Sequence, residues 1–218
     1  MLLLMELNIK QIKTGAFQVF SYVVSCGKKA VIIDPAGEEN KLIKLIEDNN
    51  LQLMYILNTH AHADHILGNK ILKNYFKVPV LMHKRDIDFF LDKNIRTTIN
   101  KELGIKAELI VDKGLRDGDI LPLGETIIQV IHTPGHTPGS VCFLINNNLF
   151  TGDTLFVGLA GRTDLIGGSL EELLSSLKKI IKLPPDTVIW PGHDYGDHPI
   201  STIADEIKQN LYITDFLL

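Results

Sequence analysis

Cysteine is scarce in this sequence. Only Cys26 and Cys142 occur, far apart and each inside an apolar, strand-like stretch. That excludes a disulfide-stapled scaffold and argues against a cysteine-rich structural zinc site, leaving two buried free thiols in a reducing compartment as the expectation. Clustered positive charge is lacking too. Lysines and arginines number 22 against 26 acidic residues, and basic residues gather only as pairs, Lys28-Lys29 and Lys178-Lys179. The electrostatic footprint for nucleic acid is therefore missing. No apolar run approaches the ~18 residues of a spanning helix. The opening M-L-L-L-M-E-L-N-I-K has no basic n-region and is too short for a secretory core, so it reads as a first strand. Together these absences point to a cytoplasmic protein with neither a membrane nor a nucleic-acid partner. At 45% hydrophobic and 22% charged residues, the chain has ample material for a sizeable core. No low-complexity linker divides residues 1–218, so one domain is expected.

Short strand patterns fill the first third: Met5 to Ile12, Phe17 to Val24, Ala30 to Ile33 and Leu53 to Leu57. Asn40 to Asn49 carries apolar residues at helical spacing, and Ile66 to Phe76 and Asp86 to Leu91 are further helix candidates. Residues 92 to 119 are polar and weakly periodic, which predicts an irregular excursion. Strands resume at Thr126 to Ile131, Val141 to Ile145, Asn148 to Thr151 and Thr187 to Trp190. Helices are predicted over Leu170 to Ile181, capped by Ser169, and over Thr202 to Leu211. Strands with helices in both halves indicate a layered α/β architecture.

Histidine follows the end of an apolar strand three times: Ile56-Leu57 into His60, Val130-Ile131 into His132 and His136, and Val188-Ile189-Trp190 into His193. A fourth strand, ending at Phe150, delivers Asp153. Loops at strand ends project polar side chains into a cleft while the sheet stays dry. The densest segment is H-A-H-A-D-H at residues 60–65, with four metal-capable side chains in six positions. That is too many for one catalytic ion with an open position; two ions sharing a bridging carboxylate use them all. Imidazole and carboxylate suit zinc, and also iron and manganese.

H-A-H-A-D-H, then H-T-P-G-H-T-P-G-S, F-T-G-D-T-L-F and W-P-G-H-D-Y in that order, resembles the metallo-β-lactamase fold superfamily, and within it the short glyoxalase II-like hydrolases (hydroxyacylglutathione hydrolase relatives). The resemblance covers residues 17 to 211. It implies an α/β, four-layer αββα sandwich with the site at one edge of two sheets. It implies two divalent ions: one on His60, His62 and His136, the second on Asp64, His65 and His193, with Asp153 bridging. Asp64 and Asp153 are then the catalytic carboxylates, and Asp34 in I-I-D-P-A is a supporting group that holds a ligand histidine. Of the other histidines, His83 and His198 read as surface or packing residues, and His132 as a support for its loop.

A water between two divalent ions becomes a hydroxide near neutral pH, and a thioester suits it because the thiolate leaves without a strong general acid. The implied activity is hydrolysis of small thioesters such as S-lactoylglutathione. Arg162 in G-R-T-D-L lies where such relatives place a basic side chain for substrate carboxylates, and Tyr195 matches a tyrosine that contacts glutathione. Only 25 residues follow His193, which leaves no room for the helical C-terminal region of full-length glyoxalase II. A second resemblance, carried by G-R-T-D and H-D-Y-G-D-H-P-I-S-T-I, is to persulfide dioxygenases, which would use His60, His136 and Asp153 around one iron. Lactone or other ester hydrolysis is a further alternative.

Overall fold

A computed structural model describes residues 7–15 and 17–217. Met5 and Glu6, which the sequence reading placed in the first strand, lie outside the described residues. The first sheet contains, in spatial order, β1 (Leu7–Thr14), β2 (Val19–Cys26), β3 (Lys29–Ile33), β4 (Gln52–Leu57), β5 (Val80–His83) and β6 (Lys113–Leu115). The second contains β12 (Ser201–Thr202), β11 (Val188–Pro191), β10 (Asn148–Gly152), β9 (Val141–Ile145), β8 (Thr126–His132) and β7 (Ile120–Leu123).

Side-chain alternation along the strands makes the layers. In β2, Tyr22 and Val24 enter the core between the sheets, while Val23 faces outward. In β9, Val141, Phe143 and Ile145 point inward and Cys142 points out. A strand buried on both faces needs apolar residues at successive positions, and β2, V-F-S-Y-V-V-S-C, is buried throughout. Helices cover both outer faces. On the first sheet, α1 (Glu39–Asp48) and α3 (Asn69–Phe76) contribute Leu42, Ile46 and Leu72. On the same side, α4 (Lys84–Leu91) and α5 (Lys93–Leu103) pack Phe90 and Ile99. On the second sheet lie α6 (Leu170–Ile180), α7 (Ile203–Gln209) and α8 (Leu211–Thr214), with Leu173, Leu177, Ile203 and Ile213 buried. This is the αββα sandwich.

The helix expected over Ile66 to Phe76 is broken: α2 (Ala63–Ile66) is a single turn separated from α3 by Leu67 and Gly68. The expectation of an irregular stretch from 92 to 119 holds for residues 104–112 and 116–119 but fails elsewhere. Residues Lys93–Leu103 form α5, with the Asp92 carboxylate accepting from the N–H groups of Asn94 and Ile95 and Gly104 closing it at φ 67°. Its apolar stripe is only Ile95, Ile99 and Leu103, packed on one face, which is why periodicity missed it. Residues 113–115 and 120–123 add strands at the sheet edges. The short β5 also escaped the sequence reading. Both cysteines are buried, and among the described residues neither forms a disulfide.

The sheets are joined where β2 and β4 meet the second half. Phe20 N–H donates to Gly192 O at 2.8 Å, and Val141 N–H donates to Thr59 O at 2.9 Å. Strands β3, β4, β8, β10 and β11 all open into loops at this edge, and there the histidines converge.

Candidate metal centre

Seven residues from four loops are buried side by side. His60 and His62 follow β4, His62 in extended backbone, and α2 turns Asp64 and His65 back towards them. His136 comes from the loop after β8, Asp153 follows β10, and His193 follows β11. Gly192 lies so close to Asp153 that a side chain there would collide with its carboxylate.

The donor atoms form two groups. Nitrogens of His60, His62 and His136 lie within 4.8 Å of one another, as do donor atoms of Asp64, His65 and His193. Asp153 stands between: its Oδ2 is 3.5 Å from His136 Nε2 and 3.3 Å from His193 Nε2, and its Oδ1 is 3.3 Å from His65 Nε2. A third cluster, Asp34 with His60 and His65, is as compact. The Asp34 carboxylate, however, already accepts from Thr59 N–H at 2.7 Å, the Thr59 hydroxyl at 2.5 Å and His65 Nδ1–H at 2.9 Å, which leaves it a supporting role.

Hydrogen bonds fix which nitrogen each ring presents. His136 donates from Nδ1 to Arg162 O at 2.8 Å, His193 from Nδ1 to Phe17 O at 2.7 Å, and His65 from Nδ1 to Asp34. The single Thr59 hydroxyl proton goes to Asp34, so Thr59 Oγ1, 3.1 Å from His60 Nδ1, accepts from that ring. In all four histidines Nε2 is thereby turned into the site, the arrangement metal ligands require. Among the described residues, buried side-chain atoms without a hydrogen-bond partner include His60 Nε2, His62 Nε2, Asp64 Oδ1 and Asp153 Oδ1. Orphaned donors this dense demand a ligand.

Electrostatics agree. Burial, reinforced by neighbouring imidazoles, holds His60 and His62 well below the usual histidine range, keeping them neutral. Burial also opposes charge on His65, but Asp153, Asp64 and Asp34 overcome it and raise that ring to about 10. Burial works against an ionised Asp153, yet His193 and His65 keep it well below the ordinary carboxylate range. The centre thus offers neutral imidazoles at one position and draws positive charge to the other. These residues fit divalent cations.

The metallo-beta-lactamase superfamily model matches residues 14–193. The chain belongs to the metallo-β-lactamase superfamily. It is 34% identical over 212 residues to hydroxyacylglutathione hydrolase GloC of Haemophilus influenzae, covering 95% of this chain and 98% of that protein. Persulfide dioxygenase ETHE1 of Homo sapiens is 35% identical over 86% of this chain and 67% of its own length. Among solved structures, the B3 metallo-β-lactamase BLEG-1 superposes with a TM-score of 0.85 at 36% identity, covering 95% of this chain and all of that one. TTHA1623 in a di-iron-bound form superposes with a TM-score of 0.79 at 34% identity, covering 92% and 98%.

Residues around the candidate ligands shape a cavity beside them. Tyr195 stacks on His193 with ring centroids 4.5 Å apart and also faces the cavity. Arg162 borders it too, its guanidinium held by Asp164 through two bonds of 2.7 Å. His83 and His132 stack on each other 4.1 Å apart, and His132 Nε2 meets Pro138 O at 2.9 Å, supporting the loop as expected. His198 is exposed.

Asp86 escaped the sequence reading. Fully buried in the first turn of α4, it accepts from Ala61 N–H at 2.8 Å, the Thr137 hydroxyl at 2.9 Å and Gly139 N–H at 2.6 Å. It thereby ties the His60–His62 segment to the His136 loop. Burial lifts its carboxyl to about 6 against the pull of these donors. Nothing in a lone helical aspartate announces which distant N–H groups it will reach. Thr59 and the Arg162 carbonyl were missed for the same reason.

Proposed function

We propose that this metallo-β-lactamase superfamily member is a hydrolase of small thioesters that works with two divalent ions, zinc being the first candidate and iron or manganese the others. The placement of Asp153 between two complete donor groups carries the reading. His60, His62 and His136 would hold one ion, Asp64, His65 and His193 the other, with Asp153 shared. When bound, such ions acidify water and polarise a carbonyl.

The chain's own residues do the rest. Asp64, which lines the cavity and whose Oδ1 has no hydrogen-bond partner, would orient the attacking water and take up its proton. Water oxygen adds to the acyl carbon, the carbon–sulfur bond breaks, and the thiolate leaves with the electron pair. Asp34, through Thr59 and His65, keeps the two ligand groups aligned. Leaving-group protonation is unnecessary, since a thiol ionises near ~8.5; this favours thioesters over amides. Lactones and other esters are the broader class.

A second reading draws on the 35% identity to a persulfide dioxygenase. It would employ His60, His136 and Asp153 around one iron and leave the group of Asp64, His65 and His193 without work.

The test is thioester hydrolysis by metal-loaded protein across S-lactoylglutathione and simple acyl thioesters, followed by loss of thioester absorbance, with Asp153→Ala as control. A kcat/KM above roughly 10⁴ M⁻¹s⁻¹, abolished in the control, is expected. Negligible rates with both zinc and iron would overturn the reading, and oxygen uptake with glutathione persulfide would establish the second.

A further inference from the structure

Beside the metal centre lies a cavity of about 340 Å³. Beyond the ligands its wall is Phe17, Leu103, Phe156, Leu159, Ala160 and Leu165, with Arg162 and Tyr195. Phe156, Ala160 and Leu165 are buried, whereas Phe17 and Leu159 expose 38% and 41% of their surface. An apolar band therefore runs from the floor to the mouth. Covering such surface with hydrocarbon is favourable, and covering it with ionised groups is not.

Charge decides which part of a thioester this band can hold. Glutathione carries two carboxylates and an ammonium. Among the described residues lining the cavity, Arg162 is the one lysine or arginine, and its guanidinium is already paired in bidentate fashion with Asp164. Asp164 offsets that charge, so a substrate carboxylate would meet only the remaining Nη1 and Nη2 protons of an already neutralised group. Leu103, the last residue of α5, closes one side with a further apolar side chain.

We propose that the site selects thioesters with a hydrocarbon acyl chain, housed along Leu103, Leu159 and Leu165, over glutathione thioesters; this rests on the hydrolase reading above. Water and the acyl thioester then give a fatty carboxylate, a free thiol and one proton, with no further reactant.

The experiment compares acetyl, butanoyl, hexanoyl and octanoyl thioesters of one common thiol with S-lactoylglutathione, using metal-loaded wild type, Leu159→Asp and Phe17→Asp. Both variants change exposed side chains and are expected to fold. In wild type, kcat/KM should rise roughly twofold or more per added methylene over the first members of the series. Either variant should cut the octanoyl-to-acetyl ratio by about tenfold as charge enters the apolar band. A flat series, or S-lactoylglutathione cleaved faster than the octanoyl thioester, overturns the acyl assignment while the hydrolase reading stands. If no thioester is cleaved, the hydrolase reading falls, and calorimetry with octanoate and with glutathione decides the cavity. Octanoate binding that is tighter than glutathione and weakened in Leu159→Asp supports the apolar site; glutathione binding as tightly or more tightly overturns it.

Discussion

Asp34 adopts a left-handed backbone, φ 47°, although it is not a glycine. Its carboxylate gathers Thr59 and His65, and through the Thr59 hydroxyl it also sets His60. Strain at a non-glycine residue persists only where the surroundings impose it, and here they do so next to the metal centre. Since His60 and His65 belong to different donor groups, Asp34→Asn should weaken both metal positions, by about 10- to 100-fold. A chelator-competition titration reads this, and unchanged affinities would show that Asp34 only stabilises the fold. The stacked pair His83 and His132 supplies the pH dependence. Burial, with His132 alongside, lowers His83 to about 4. A folded histidine that resists protonation contributes stability in full above the unfolded value near ~6.5, and loses it as pH falls from there towards 4. His83→Asn keeps a capping acceptor for α4 but cannot be protonated. Its urea midpoint should therefore approach that of wild type between pH 7 and pH 5; a constant gap would refute the assignment.

At the scale of elements, the site depends on α4 as much as on the loops that carry ligands. Asp86 reaches from that helix to Ala61 and to Thr137 and Gly139, so it fixes the distance between two histidine-bearing segments. Replacing it by asparagine keeps the volume but turns an amide N–H₂ towards one of these donors. Asp86→Asn should cost about 1–3 kcal/mol in urea unfolding, the penalty of a buried donor left unmatched. It should also weaken metal binding at His60, His62 and His136 more than at Asp64, His65 and His193. Equal weakening at both positions would make its role one of general stability. The clustered histidines and aspartates could be read from the sequence because each sits within a compact motif at a strand end, and short apolar runs marked β2, β4 and β9. Asp86 and α5 could not be read that way. The first acts through backbone groups 25 and 53 positions away, and the second has an apolar stripe of one residue per turn. Arg162 and Tyr195 were found at the cavity, but Arg162 is paired with Asp164 and Tyr195 packs against His193.

Across the whole molecule, the candidate ligands are divided between the sheets. His60, His62, Asp64 and His65 follow β4 of the first sheet, whereas His136, Asp153 and His193 follow β8, β10 and β11 of the second. Cations bound here therefore fasten the two halves of the sandwich, in addition to the Phe20–Gly192 and Val141–Thr59 backbone bonds. Free ion at about 100 times its Kd adds ~2.7 kcal/mol to stability by mass action. Chelation should lower the melting temperature and abolish hydrolysis, and readdition of metal should restore both. Metal analysis of the reloaded protein then distinguishes the two chemistries. Two ions per chain, falling to one with loss of thioester cleavage in His65→Ala, is the result expected of the hydrolase, because that substitution spares His60, His62 and His136. One iron per chain in wild type, unchanged in His65→Ala, would instead mean that the group of Asp64, His65 and His193 holds no ion. Oxygen uptake with glutathione persulfide would then be the activity expected of the remaining His60, His136 and Asp153 group.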